Sequence, residues 1–112
     1  GGNNGLFVAL VKPLFEALGE QNKQVQSGSA LCLARVIDNI SDPPVSILQK
    51  MLARTVKLLK NPHFMAKPAV IELNRSIIQV YLFLTARLFF HVYFLYSMLH
   101  YSTCGFKIRK KK

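Results

Sequence analysis

Cysteine occurs twice in this chain, and only five of its 112 residues are acidic. Each shortage excludes a class of function. Two cysteines, Cys32 and Cys104, cannot build a disulfide framework, so the chain reads as a protein of a reducing compartment. Cys32 falls in an apolar helical stretch, where a small hydrophobe is expected, and nothing near Cys104 would activate its thiol. The carboxylates Glu16, Glu20, Asp38, Asp42 and Glu72 are scattered, and none stands at a helical spacing from a histidine. His63, His91 and His100 make no metal-ligand pattern with either cysteine. A glycine-rich phosphate loop and a nucleophile elbow are both missing. An enzyme is therefore not expected, nor a metal, cofactor or small-molecule substrate.

Basic residues are plentiful by contrast. Fifteen lysines and arginines against five acids give a net charge of +10, which suits a polyanionic partner: nucleic acid, anionic membrane or an acidic protein surface. The excess is uneven, because the tail Lys107-Ile108-Arg109-Lys110-Lys111-Lys112 holds five of the fifteen. That tail is short and carries no interleaved aromatics, so nucleic acid is the least expected of the three. Gly1 to Gly5 reads as a flexible, uncharged lead rather than a signal peptide, and Asn39-Ile40-Ser41 and Asn74-Arg75-Ser76 read as chance matches to the glycosylation pattern.

The main organising feature is a helical stretch that comes twice. Sliding the sequence by 41 residues sets apolar on apolar: Leu10 on Met51, Phe15 on Val56, Leu18 on Leu59, Ala30 on Ile71, Cys32 on Leu73. A self-match at about this period within helical patterning points to HEAT or armadillo units. The expected fold is all-α, with two helical hairpins over residues 6–40 and 44–79. In the first helix, Leu6, Leu10, Leu14 and Leu18 recur every four residues, Phe7, Val11 and Phe15 widen the stripe, and Pro13 should kink it. Gly19 to Asn22 is the turn. The second helix, Lys23 to Asp38, presents Val25, Ser29, Cys32, Leu33, Val36 and Ile37 on one face, with Gln26 and Arg35 elsewhere. Asp42 is the expected cap of a third helix from Val45 to Leu59, with Pro43 and Pro44 just inside it. A fourth runs from Phe64 to about Gln79. Two such units make a thin core, so the stretch looks like part of a longer solenoid.

From Val80 to Phe106 the composition changes. These 27 residues hold one charge, Arg87, and nine of the twelve Phe and Tyr residues, and they contain no third unit. Val80–Tyr101 has the length of a membrane span, about 20 residues. Arg87 opposes that reading, since a central arginine costs roughly 2.5–3.5 kcal/mol on insertion scales. The basic tail would favour it as a cytoplasmic flank. An aromatic-rich helix is expected here in either case.

Three segments carry a family resemblance. Leu14-Phe15-Glu16-Ala17-Leu18-Gly19-Glu20-Gln21-Asn22-Lys23, Ala30-Leu31-Cys32-Leu33-Ala34-Arg35-Val36-Ile37 and Leu58-Leu59-Lys60-Asn61-Pro62-His63-Phe64 closely resemble the plant Tortifolia/Spiral-type microtubule-associated proteins. The resemblance covers about residues 6–79. It implies an array of HEAT repeats similar to tubulin-binding TOG domains, a cytoplasmic place on cortical microtubules and a role in directional cell growth. Val80 to Lys112 departs from the family pattern and reads as an alternative or unspliced 3′ end.

In such arrays the bends of successive hairpins line one edge that meets tubulin. Carried over by position, that edge is Glu20, Gln21, Asn22 and Lys23, then Lys60, Asn61, His63 and Phe64. Phe64 reads as a packing anchor, and the first turn lacks the tryptophan that many TOG domains place there. Lys50, Arg54 and Lys57 add a basic stripe on helix three, fit for an acidic tail or phosphate. The functional expectation is a microtubule-binding scaffold. Its alternative is a small helical protein anchored in a membrane by Val80–Tyr101.

Overall fold

The computed structural model describes the backbone of residues 2–111 and the side chains of residues 5–102. Four helices follow one another: α1 (Gly2–Ala17), α2 (Lys23–Asp38), α3 (Val45–Lys60) and α4 (Lys67–Lys111). No strand occurs among the described residues, and the fold is all-α. The chain divides into two units, Gly1–Val80 and Tyr81–Lys112.

In the first unit α1 buries Phe7 and Val11, and Leu18 is buried just past its end, while Leu6 and Leu10 stay exposed. Of the expected stripe, Phe7, Val11 and Leu18 are covered, whereas the first two leucines of the series face outward. Residues 2–5, read as a flexible lead, belong to α1. The helix runs on through Pro13, whose ring removes the bond to the Ala9 carbonyl on an exposed side. Its packing partner is α2, which completes the first hairpin.

The inward face of α2 differs from the expected one. Gln26, Ser29, Ala30, Leu33, Ala34 and Ile37 are buried, whereas Val25 and Cys32 are exposed. Ser29, Ala30 and Ala34 on that face allow another helix to come close, with Leu33 and Ile37 filling the core beside them. Gln26 is held by its own bond, Nε2 donating to the Glu20 carbonyl at 2.6 Å.

Pro44, not Asp42, occupies the cap position of α3, in extended conformation and with no side-chain cap bond. Its carbonyl accepts the Leu48 N–H at 3.2 Å, the first bond of the helix. In the second hairpin, α3 meets α4 through a buried polar contact, Thr55 Oγ1 donating to Asn74 Oδ1 at 2.6 Å. Leu48, Met51, Val70, Leu73 and Ile77 close the core around it. Each such side chain contributes about 1.5–3 kcal/mol by leaving water. Asn74 is buried and bonded, so the sequon at 74–76 is structural.

Burial repeats at a spacing of 40 residues along the second helices. Gln26 pairs with Ala66, Ser29 with Ala69, Ala30 with Val70, Leu33 with Leu73 and Ile37 with Ile77, all buried. The 41-residue slide had matched Cys32 with Leu73 and Ala30 with Ile71, joining exposed to buried positions. Counting every apolar residue alike produced that register, because exposed Ile71 and Ile78 score as well as buried Val70 and Ile77.

The second unit is the remainder of α4. The fourth helix starts at Lys67, three residues after Phe64, and does not stop near Gln79. Beyond Val80 most of the described side chains are exposed: Phe83, Phe89, Phe90, Tyr93, Leu99 and Tyr101 each show about two thirds of their surface or more. The Tyr96 and His100 rings stack one turn apart, with centroids at 6.0 Å. Residues 67–102 include one stretch long and apolar enough to cross a membrane. The side chains of the basic tail and of Cys104 lie outside the described residues.

Candidate functional site

The two bends are built by local hydrogen bonds. In the first, Gly19 N–H reaches the Glu16 carbonyl at 3.0 Å and Glu20 N–H the Ala17 carbonyl at 3.2 Å. Asn22 then caps α2, its Oδ1 accepting from Val25 N–H at 3.1 Å. In the second, Asn61 closes α3 with its N–H and accepts from His63 N–H through Oδ1 at 2.9 Å. Phe64 is buried beneath this turn, so it anchors packing rather than facing outward. Two of the candidate polar groups, Asn22 and Asn61, therefore commit their side-chain oxygens to the backbone.

The bends share an edge. Lys23, Ser27 and Leu31 of α2 face Met65, Ala66, Pro68 and Ala69 across an open cleft of about 470 Å³. The start of α2 thus lies beside the start of α4. Glu20, Gln21, Asn22, Lys23, Lys60, Asn61 and His63 are all exposed.

The opposite pair of helices forms a second depression. A groove of about 300 Å³ runs between α1 and α3, lined by the apolar Val8, Val11, Phe15, Ile47 and Met51. Lys12, Lys50 and Arg54 line it too. The Arg54 guanidinium sits over the Phe15 ring, 5.1 Å from its centroid. This contact joins the C-terminal halves of the two helices, so α1 and α3 run parallel.

The expected stripe on α3 is consequently divided. Lys50 and Arg54 turn toward α1, and Lys57, exposed, lies outside the groove. Lys12 was not singled out from the sequence. Parallel stacking of α1 on α3, implied by the repeat, was the signal that would have set it near Lys50. No carboxylate lines the groove, and the ion pair described among these residues, Arg75 with Glu72 at 3.6 Å, is exposed and on α4. Among the described residues no cluster of His, Cys, Asp or Glu could hold a metal.

Fold and edge together define an all-helical module of helical hairpins, rich in exposed cations. The chain belongs to the family of TORTIFOLIA1 N-terminal domains, whose model matches residues 1–104. Relatives from Arabidopsis thaliana include TORTIFOLIA1-like protein 2, 75% identical over 76 residues, or 68% of this chain and 9% of that protein. Microtubule-associated protein TORTIFOLIA1 is 50% identical over 76 residues, covering 68% of this chain and 8% of the relative. TORTIFOLIA1-like protein 1 is 45% identical, with coverage of 68% and 9%. The chain therefore spans about a tenth of the length of these curated relatives. The family match runs past Val80, whereas these relatives align over 76 residues. No solved structure matches the chain.

Proposed function

We propose that this chain is a segment of a microtubule-associated HEAT-type scaffold that offers its edge of bends to tubulin. The observation that carries the reading is the side-by-side start of α2 and α4, which sets both bends on one rim. A relative that is half identical bears the name of a microtubule-associated protein, and this supports the partner. Lys23 and Lys60 supply charge for an acidic surface, acting mainly on encounter rate. Asn22 and His63 shape the rim. Lys50, Arg54 and Lys57 add basic character on a neighbouring face. In the full-length protein the exposed Leu6 and Leu10 would be covered by an adjoining hairpin, and the assembly would sit on cortical microtubules and influence the direction of cell growth.

Co-sedimentation of the chain with taxol-stabilised microtubules across a salt series tests this. The expected result is pelleting that falls with salt and falls further in K23E/K60E. Equal pelleting without microtubules, or no effect of the double substitution, refutes the edge.

One observation favours a second reading, membrane anchoring through Val80–Tyr101. The helix there is exposed and, apart from Arg87 and a few polar side chains, largely apolar, as a lipid-facing helix would be. Retention on membranes after carbonate and high salt would support it, and release into the supernatant would end it.

A further inference from the structure

The α1–α3 groove has a composition that the bend edge lacks. Its lining is hydrocarbon, with Val11 and Met51 almost fully buried and Val8, Phe15 and Ile47 partly open to solvent. Its charged members are all of one sign: Lys12, Lys50 and Arg54. All three are exposed, and none has a carboxylate partner among the described residues. Arg54 is moreover held in place. Its Cζ lies over the Phe15 ring, and Nη2 is 3.7 Å from the position that a Cβ on Gly19 would take. A guanidinium resting over an aromatic ring without an acidic partner still has N–H groups to offer a carboxylate, which arginine binds through its planar fork.

From this we infer that the α1–α3 groove is a docking site for an acidic amphipathic helical segment of a partner protein. The segment sets two or three aliphatic or aromatic side chains on the apolar lining, and its carboxylates meet Lys12, Lys50 and Arg54. Charge complementarity selects this occupant. A purely apolar helix leaves three cations beside it without partners, and a basic one adds repulsion to them. The volume, about 300 Å³, is at the lower end of the range for ligand clefts. Val8 to Phe15 spans two helical turns, roughly 10 Å at 1.5 Å per residue, which matches anchors at i, i+4 and i+7. The site is separate from the edge of bends, and the inference stands whether or not that edge meets tubulin.

The test uses the full 112-residue chain and a fluorescein-labelled 16-residue peptide with Leu and Phe at i, i+4 and i+7 and Glu at the remaining positions. Two control peptides accompany it: one of the same composition with the apolar residues out of register, and one with Lys in place of every Glu. Fluorescence anisotropy at low and moderate salt reads the affinity. The register control and the K12E/K50E variant are each expected to weaken binding at least tenfold, and the lysine peptide is expected not to bind. Lys12 and Lys50 are exposed, so circular dichroism of that variant should match the parent. R54K, which keeps the charge but loses the planar fork, should weaken binding by a smaller factor. Equal binding of the register control reduces the contact to unspecific charge attraction and overturns the inference. Unchanged affinity in K12E/K50E overturns it as well. Loss of microtubule pelleting in K23E/K60E with intact peptide binding separates this site from the bend edge.

Discussion

Thr55 and Asn74 face each other inside the second hairpin, at 0% and 9% exposure. The one hydroxyl proton of Thr55 serves two acceptors, the Leu52 carbonyl at 2.9 Å and Asn74 Oδ1 at 2.6 Å. Thr55→Val keeps the shape but leaves the Asn74 amide buried without this bond, a loss of about 1–3 kcal/mol. Replacing both, as T55V/N74L, removes the orphan and should recover part of that loss. Urea unfolding midpoints check it, and a double variant no more stable than T55V would contradict the account. Neither residue was legible as a pair. Asn74 read only as part of a sequon, and nothing in the sequence singled out Thr55. Gln26 was misplaced for a related reason: a polar side chain on a helix is expected outside unless its partner is visible. That partner, the Glu20 carbonyl, is backbone and leaves no trace in residue identities.

Among the elements, α2 was readable to its ends, because Asn22 and Asn39 bracket it with polar turns. The start of α4 was harder. Asn61 and buried Phe64 hold a turn that periodicity alone reads as the first helical residues. Its end was harder still. No Gly or Pro occurs between Pro68 and Gly105, so the backbone meets no breaker and the helix continues past the last repeat-like residue. Pro13 in α1 is the converse, a breaker that the helix tolerates. An interior proline costs about 3 kcal/mol relative to alanine, and tolerance does not abolish that cost. Pro13→Ala should therefore raise unfolding free energy by about 1–3 kcal/mol and increase far-UV helical signal. A drop in either would mean that Pro13 itself is needed for packing on α2.

At the scale of the whole molecule, the all-helical architecture was evident from apolar spacing, and the family from three segments in order. The register between hairpins was not, since it depends on which apolar residues are covered. Ile71 and Ile78 are exposed while Val70 and Ile77 are not. The basic groove escaped notice because it needs two helices at once: Lys12 is forty residues or so from its neighbours Lys50 and Arg54.

Arg75 and Glu72 form the ion pair seen among the described residues, in a protein of net charge +10. Most of the remaining cations then push on one another, and folding gathers them closer together. Added electrolyte shortens the reach of that push, from about 30 Å at 0.01 M to about 8 Å at 0.15 M. Thermal melts in sodium chloride should accordingly climb across this interval, and a flat or descending trend would mean that the cations are neutralised within the fold. The protein would be hardest to melt in the same buffers in which it holds an acidic partner least firmly.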